Sequence, residues 1–234
     1  MNHVVSYSGG KDSTAMLLRM IELDMQIDRI VFADTGKEYP EMYSYLKKVE
    51  EFIGRKIEFV KPKMSFDDWF YRIKQKGKHK GMIYGFPKSC GVSWCTKVLK
   101  IDPINQLNQI GDTVYLGIAI DEKHRVQGKK TNRVEKYPLI EWGWTEQDCK
   151  NYLKKKGLLN PLYDKFDRLG CWCCPKQKKS ALKVLWKEYP KLWKRMQQYE
   201  RDSPHPMRTD LKLKGFERLF EIEEQQHKLK NLNQ

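Results

Sequence analysis

The hexapeptide Ser-Gly-Gly-Lys-Asp-Ser at residues 8–13 constrains the fold more than any other part of this sequence. It follows a short apolar run and precedes helical periodicity at residues 14–23, so it joins a strand to a helix. Glycines let the backbone approach a ligand closely, and the amides at a helix N-terminus attract an anion. The sequence therefore predicts a phosphate-binding loop, whose candidate residues are Ser8, Gly9, Gly10, Lys11, Asp12 and Ser13.

Lys11 and Asp12 are the candidate catalytic side chains of this loop. Lys11 supplies a cation for phosphate, and Asp12 suits the first turn of the helix, where it orients the loop or helps to place a metal ion. The spacing of glycine and lysine differs from that of the GxxxxGK[ST] loop of common NTPases. The alternative is a plain strand-to-helix turn that uses the two glycines only for its geometry.

Strand and helix patterns alternate along the chain, which predicts a Rossmann-like, doubly wound parallel α/β sheet. Ligands of such sheets lie at the carboxyl ends of the strands. The C-terminal part is expected to be helical, so the predicted domains are residues 1–175 and a basic helical extension, residues 176–234, packed on them. The predicted strands are residues 3–8, 29–33, 56–60 and 113–120, and the predicted helices are residues 14–23, 41–53, 65–76, 145–156 and 182–199, with Pro190 dividing the last.

The formal charge of +15 favours a polyanionic partner, RNA or DNA first of all. A basic surface that serves a small phosphorylated substrate is the alternative. The Lys/Arg-rich segments 72–80 and 123–136 read as exposed loops, and segments 72–80 and 176–187 are candidates for contact with a nucleic-acid backbone or for ordinary solvated surface. No apolar run is long enough for a membrane span, and the N-terminus reads as a strand, so we expect a cytoplasmic protein.

Six cysteines are arranged in a way that favours metal or redox chemistry over structural disulfides. Cys90 and Cys95 form one short pair, and Cys171 and Cys174 form a C-x-x-C pair. Two such pairs suit a four-thiolate site, which either a [4Fe-4S] cluster or structural Zn²⁺ would accept, and reduced, buried thiols are the alternative to a metal site. Cys173 is a candidate catalytic thiol that handles sulfur, with a metal ligand in place of a neighbouring cysteine or a packing residue as the alternatives.

Several segments, taken in order, resemble the phosphoadenosine phosphosulfate (PAPS) reductase family of the PP-loop, adenine nucleotide alpha-hydrolase-like superfamily. The hexapeptide matches the PP-loop signature of its ATP pyrophosphatases. The other matching segments are Asp34-Thr35-Gly36, Cys95-Thr96-Lys97 with Lys100, Gly117 with Asp121-Glu122 and Arg125, Tyr137-Pro138-Leu139-Ile140, and Asn160-Pro161-Leu162-Tyr163.

The resemblance implies a nucleotide site and a metal site. Nucleotide or phosphate contacts are expected from the PP-loop and from Asp34, Thr35, Gly36, Lys97, Lys100, Gly117 and Arg125. ATP with Mg²⁺, or a sulfonucleotide, is the implied ligand. Adenylylsulfate reductases and DNA phosphorothioation ATPases of this family bind a [4Fe-4S] cluster with a similarly divided cysteine set, which favours iron–sulfur over zinc here.

Two departures from the family pattern shape the functional hypotheses. Ala119 stands where the family often has an arginine, so a phosphate or sulfate contact is expected either to be missing or to come from Lys123, His124 or Arg125. No cysteine follows Cys174, whereas the reductases carry a C-terminal Glu-Cys-Gly-x-His tail. We therefore expect an ATP-dependent enzyme that adenylates a nucleic acid or nucleotide for sulfur transfer, with a sulfur donor protein such as a cysteine desulfurase. The alternatives are a sulfonucleotide reductase and a non-catalytic nucleic-acid-binding protein.

Overall fold

The computed structural model describes residues 1–87, 93–107, 109–126 and 134–232. The chain divides into two compact units. The first combines Met1–Lys63 with Lys97–Asp164, and the second combines Met64–Thr96 with Lys165–Gln234. The second unit therefore draws on residues from both sides of position 175.

A five-stranded, all-parallel sheet forms the centre of the first unit, as the sequence predicts. The strand order is β3-β2-β1-β4-β5, so β1 lies in the middle with Val4 paired to Arg29 on one side and to Val114 on the other. Parallel sheets are covered on both faces, which explains the apolar strands. The strands are β1 (His3–Tyr7), β2 (Arg29–Ala33), β3 (Glu58–Val60), β4 (Thr113–Leu116) and β5 (Val134–Lys136).

Helices account for most of the remaining regular structure. They are α1 (Lys11–Glu22), α2 (Pro40–Ile53), α3 (Phe66–Tyr71), α4 (Trp94–Thr96), α5 (Asp102–Leu107), α6 (Pro138–Glu141), α7 (Glu146–Lys155), α8 (Lys179–Glu188), α9 (Pro190–Asp202) and α10 (Leu213–Leu232), with a π-helical turn at Lys97–Ile101 and 3₁₀ turns at Ile120–Arg125 and Pro161–Asp164. Among the described residues, no helix combines the length and the apolar character that crossing a membrane requires.

Helix ends follow the local capping chemistry of the sequence. Thr145 accepts a hydrogen bond from the Asp148 amide, and the Asp148 carboxylate accepts one from the Thr145 amide, which closes a capping box at the start of α7. Ser65 forms the same arrangement at α3. Pro190 occupies the first turn of α9 and separates that helix from α8, as the sequence predicts.

Three predicted boundaries are wrong. The helix from residue 65 ends at Tyr71 because the chain becomes extended at Arg72 and pairs Ile73 with Ile83. Strand β4 ends at Leu116 rather than at residue 120, since a 3₁₀ turn begins at Ile120. Of the predicted loop 123–136, the described part contains the end of that 3₁₀ turn and the edge strand β5, and the rest lies outside the described residues.

Aromatic side chains form the core of the second unit. Tyr199 of α9 is fully buried and contacts Phe66, Phe70 and Trp172, with ring centroids 5.6, 4.7 and 6.0 Å away. These rings come from three separate stretches of the chain, so the core ties α3 and the segment around Trp172 to α9.

Candidate active site and cysteine cluster

The PP-loop lies at the carboxyl end of the central strand, where β1 gives way to α1. Gly9 has a φ of +71°, and a Cβ atom there would lie 2.5 Å from the Met42 sulfur, so glycine is required on both counts. The hydroxyls of Ser8 and Ser13 are 2.9 Å apart, and Ser13 also donates to the Gly10 carbonyl. The loop is therefore held closed by its own side chains.

Lys11 is almost fully buried and is held by two carboxylates. Its ammonium lies 2.7 Å from Glu146, the first residue of α7, and 3.2 Å from Asp12. Burial alone would lower the pKa of Lys11, but the hydrogen bond to Glu146 and the charge of Asp12 outweigh it, so the pKa is raised. The lysine carries its charge at neutral pH.

Three carboxylates converge beside this lysine. Asp12, Glu122 and Glu146 each place one oxygen within 4.8 Å of the other two. The Oδ1 atom of Asp12 is buried with no hydrogen-bond partner among the described residues, and burial raises the pKa of this carboxyl while Lys11 offsets the rise in part. Carboxylate oxygens are the ligands that Mg²⁺ prefers, usually together with substrate phosphates. The donor set fits a magnesium ion that accompanies a nucleotide.

Gly117 and Tyr163 fix the outer side of the loop. A Cβ atom at Gly117 would lie 2.7 Å from the Ser13 Cα, so β4 can approach the loop this closely only with glycine. The Lys11 amide donates to the Tyr163 hydroxyl at 2.9 Å. Burial raises the pKa of Tyr163, so the hydroxyl stays neutral. One of the amides expected to face phosphate is thus already bonded within the protein.

Asp34, Thr35 and Gly36 follow β2, the strand next to β1, and so lie at the same edge of the sheet. Asp34 accepts hydrogen bonds from the Gly36 amide at 2.9 Å and from the Tyr43 hydroxyl at 2.8 Å. Thr35 donates to Glu38 at 3.0 Å. These bonds give the segment a defined turn, which is what a nucleotide contact at this edge would need.

The three predicted phosphate-binding cations outside the PP-loop are each ion-paired. Lys97 lies 2.9 Å from Asp102, and Lys100 lies 3.6 Å from Glu38. Arg125 lies 2.6 Å from Glu122, one of the three carboxylates beside the loop. A phosphate contact by any of the three would have to replace or share these partners, so their role stays a prediction.

Cys95, Cys171 and Cys174 all belong to the second unit, whereas Cys90 lies outside the described residues. The Cys174 amide donates to the Cys171 carbonyl at 3.1 Å, a single turn that Gln177 braces by donating to the Trp172 and Cys174 carbonyls. These three cysteines are partly buried, and none of the described cysteines is in a disulfide. The turn presents Cys171 and Cys174 as a pair of free thiols, the residue type that a thiolate metal site needs. Cys95 does not complete a group with them within 4.8 Å among the described residues, so the metal site stays a prediction.

Cys173 and Cys149 differ from these three because both are buried. Cys173 is 1% exposed beside the aromatic core, which fits the packing alternative better than a thiol that meets substrate. Cys149 lies within α7, where burial and the nearby Asp12 charge raise the pKa of its thiol. The Cys149 thiol is therefore not activated as a nucleophile in this conformation.

Residues 2–177, three quarters of the chain, match the phosphoadenosine phosphosulfate reductase domain. The chain belongs to the PAPS reductase family. This family membership confirms the resemblance drawn from the PP-loop and the segments that follow it.

Individual relatives are more distant. An uncharacterized protein of Methanocaldococcus jannaschii is 28% identical over 217 residues, 85% of this chain and 41% of the relative. A phosphoadenosine 5'-phosphosulfate reductase of Alkalilimnicola ehrlichii is 24% identical over 160 residues, 64% of this chain and 60% of the relative. The chain spans less than two thirds of the length of either relative. A PAPS reductase structure from Candida auris aligns with a TM-score of 0.48 at 16% identity, covering 74% of this chain and 82% of that one.

Three side chains of this candidate site were not predicted as site residues: Glu122, Glu146 and Tyr163. Glu122 and Tyr163 stand in segments that carry the family resemblance, and Glu146 follows the capping residue Thr145. The signal that could have found Glu146 is its place at the start of a capped helix, where an acidic side chain points past the helix end.

Proposed function

We propose that this member of the PAPS reductase family is an ATP pyrophosphatase that adenylates a substrate, a nucleic acid or nucleotide, and prepares it for sulfur transfer. ATP would place its phosphates on the PP-loop and its nucleoside beside Asp34 at the strand ends. An oxygen of the acceptor would attack the α-phosphorus, pyrophosphate would leave, and a sulfide-level donor would then replace AMP on the acceptor.

The cluster of Asp12, Glu122 and Glu146 is the observation that carries this proposal. A triphosphate arrives with Mg²⁺, which is held by one or two carboxylates and by the phosphates themselves. The three carboxylates lie beside only two cations, Lys11 and Arg125, which leaves net negative charge at the cluster. A sulfonucleotide presents phosphate and sulfate without a metal, so this charge would repel it. The charges around the loop therefore favour magnesium-bound ATP over PAPS or adenylylsulfate.

Lys11 has a defined part in this reaction. Its ammonium rests on Glu146 and Asp12 and stays charged, so it would be available to the phosphates of a bound nucleotide. The same carboxylates would be available to hold Mg²⁺. Beside those phosphates, Lys11 would stabilise the negative charge that develops on the departing pyrophosphate. Glu146 is then the residue that positions the lysine before ATP binds.

The cysteines would hold the metal centre. Cys90, Cys95, Cys171 and Cys174 are the proposed ligands of a [4Fe-4S] cluster, with structural Zn²⁺ as the alternative, and such a centre supplies a site for sulfur when bound. Cys171 and Cys174 would be presented by their shared turn. The sulfur source is proposed to be a donor protein such as a cysteine desulfurase, together with a thiol reductant that is oxidised to a disulfide as it brings the donor's persulfide sulfur to the sulfide level.

Sulfonucleotide reduction is the second candidate function. Family membership favours it, as does the relative named a phosphoadenosine 5'-phosphosulfate reductase. It would release sulfite from PAPS or adenylylsulfate at the expense of a thiol reductant. The two candidates use the same loop but give different products.

The decisive experiment measures both products with the purified protein. With ATP, Mg²⁺ and pools of DNA or RNA, we expect pyrophosphate release that falls at least about a hundredfold in Lys11→Met, since that change removes a charge from the transition state. Lys47→Met, at an exposed lysine of α2, is the matched control and should keep full activity. Asp12→Asn should raise the Mg²⁺ concentration for half-maximal activity about tenfold or more. The second product, sulfite, is measured with PAPS or adenylylsulfate and a thiol reductant. Sulfite release there, with no pyrophosphate release from any nucleic-acid pool, would replace this proposal by the reductase.

A further inference from the structure

Residues 72–84 of the second unit form a short antiparallel ribbon, called here the basic hairpin. Ile73 pairs with Ile83, the Tyr84 amide donates to the Arg72 carbonyl, and the Lys74 amide donates to the Met82 carbonyl, both at 2.9 Å. Gly77 and Gly81 close the tip with φ angles of +81° and +86°. The hairpin is therefore a defined structure rather than an irregular loop.

Positive charge on the basic hairpin is dense and unopposed. No aspartate or glutamate occurs between Asp68 and Asp102 in the sequence. Within the described part of the chain, none of the hairpin's lysine and arginine side chains pairs with a carboxylate. Most of them are exposed to solvent. They are Arg72, Lys74, Lys76, Lys78 and Lys80.

The other basic run of the second unit behaves differently. In residues 176–187, Lys179 and Lys183 both contact Glu223, at 2.7 and 2.8 Å, and Lys187 contacts Glu224 at 2.9 Å. These ion pairs join α8 to α10, so the positive charge of these three lysines is neutralised within the second unit. Of the two runs predicted to contact a nucleic-acid backbone, the basic hairpin is the one whose charge remains available to a partner.

Two aromatic rings at the base of the hairpin are covered by its own cations. The Arg72 guanidinium lies 4.8 Å from the centre of the Trp69 ring, and the Lys74 ammonium lies 5.6 Å from that of Tyr84. Proteins that bind single strands use open aromatic faces on which bases stack. Covered rings fit contact with phosphates instead, and they hold the cations in place for it.

We propose that the basic hairpin binds duplex DNA through its phosphodiester backbone. A two-stranded ribbon fits the B-form major groove, which is about 12 Å wide, whereas the deep, narrow major groove of A-form RNA excludes side chains. The lysines near the tip would then face phosphates on either side of the groove. This inference rests on the proposed function, since it names duplex DNA as the class of acceptor for that reaction. The binding itself requires no ATP.

Anionic membrane is the competing partner. Ile73 and Met82 are 51% and 45% exposed, and exposed apolar side chains among lysines also suit a charged lipid surface. Duplex RNA is the other polyanion to compare. Both are therefore included as separate ligands in the experiment.

The test measures binding of the full chain to a fluorescein-labelled 20-base-pair DNA duplex by fluorescence anisotropy. The salt concentration is varied between 50 and 200 mM, a range over which the loss of about three phosphate contacts measurably alters how affinity depends on salt. The triple variant Lys76→Gln, Lys78→Gln, Lys80→Gln should bind at least about tenfold more weakly, and the slope of log affinity against log salt should become shallower by about 2 to 3. The matched control, Lys47→Gln, Lys154→Gln, Lys155→Gln, removes the same charge from exposed sites on α2 and α7 and should bind like the wild type.

Unchanged affinity in the hairpin variant overturns the inference, as does preferential binding of the wild type to duplex RNA or to phosphatidylserine vesicles. Circular dichroism checks that both triple variants remain folded. Hairpin-dependent DNA binding without pyrophosphate release would contradict the proposed function alone. Pyrophosphate release with hairpin-independent DNA binding would contradict this inference alone.

Discussion

At the scale of single residues, Gly117 shows how tightly the phosphate loop is built. It follows β4, and a Cβ atom on it would meet the backbone of Ser13 at 2.7 Å and that of Asp12 at 3.1 Å. Backbone atoms cannot move aside as the end of a long side chain can. The loop and β4 would therefore have to separate to admit any other residue.

Gly117→Ala should therefore destabilise the first unit and weaken ATP binding. Overpacking of this kind costs about 1–3 kcal/mol, which corresponds to a fall in Tm of several degrees. Gly170→Ala is the control because no atom lies within 4 Å of a Cβ placed there. Thermal unfolding and ATP titration of both variants provide the measurement. Wild-type stability and affinity in Gly117→Ala would show that the loop is not packed against β4 in this way.

Residues that act locally could be predicted from the sequence, and residues brought in from a distance could not. Ser8 to Ser13 are contiguous, so their spacing alone indicates a phosphate loop. Glu146 and Tyr163 reach Lys11 across 135 and 152 residues of chain, and no local pattern records such a contact. Gly117 was found only because the family resemblance includes it.

At the scale of elements, a boundary can be predicted well from the sequence where a capping motif marks it, and less well elsewhere. Helix α7 begins after Thr145 as predicted, since its capping box lies within four consecutive residues. Strand β5 was missed because three residues with an exposed valine, Val134, at one end carry little pattern. It forms because β4 offers it an edge to pair with, which is information from the folded sheet.

An ion pair between elements makes a prediction about acid stability. Glu22 at the end of α1 lies 2.7 Å from Lys156, just after α7. The hydrogen bond from Lys156 is the main cause that lowers the pKa of Glu22 to about 2. A carboxyl whose pKa is lowered by folding stabilises the protein above its unfolded value and loses that contribution as the pH falls. The contribution should therefore disappear between about pH 5 and pH 2.

Glu22→Gln tests this prediction. At pH 7 the variant should be less stable by under about 1 kcal/mol, since the pair is exposed and screened by solvent. The difference from the wild type should vanish as the pH falls toward 2, and added salt should reduce it at pH 7. Urea unfolding at several pH values measures it, with Glu51→Gln, whose partner Lys47 is 4.0 Å away, as the control. A difference that persists at pH 2 would assign the effect to packing rather than to charge.

At the scale of the whole molecule, the candidate phosphate-binding loop and the candidate thiolate ligands belong to different units. The PP-loop and its carboxylates lie in the first unit, and Cys95, Cys171 and Cys174 lie in the second. The second unit is assembled from two segments, with residues 97–164 of the first unit between them in the sequence. The short cysteine spacings predict that distant segments share a site, and Cys95, Cys171 and Cys174 do fall in one unit. Among the described residues these three thiols do not form a group within 4.8 Å of one another, so the shared site stays a prediction.

This separation predicts that metal removal affects one unit and leaves the other intact. Anaerobically purified protein should show a broad absorbance band at about 400 nm and contain about four irons per chain. The double variant Cys171→Ser, Cys174→Ser should lose both, and hydrogen exchange should accelerate in the second unit because bound metal stabilises the fold that holds it. ATP binding by the first unit should persist.

The control is Cys149→Ala, in α7 of the first unit, and this variant should bind as much metal as the wild type. One zinc per chain in place of iron would identify the alternative metal, and metal retained by the double variant would exclude the four-thiolate site.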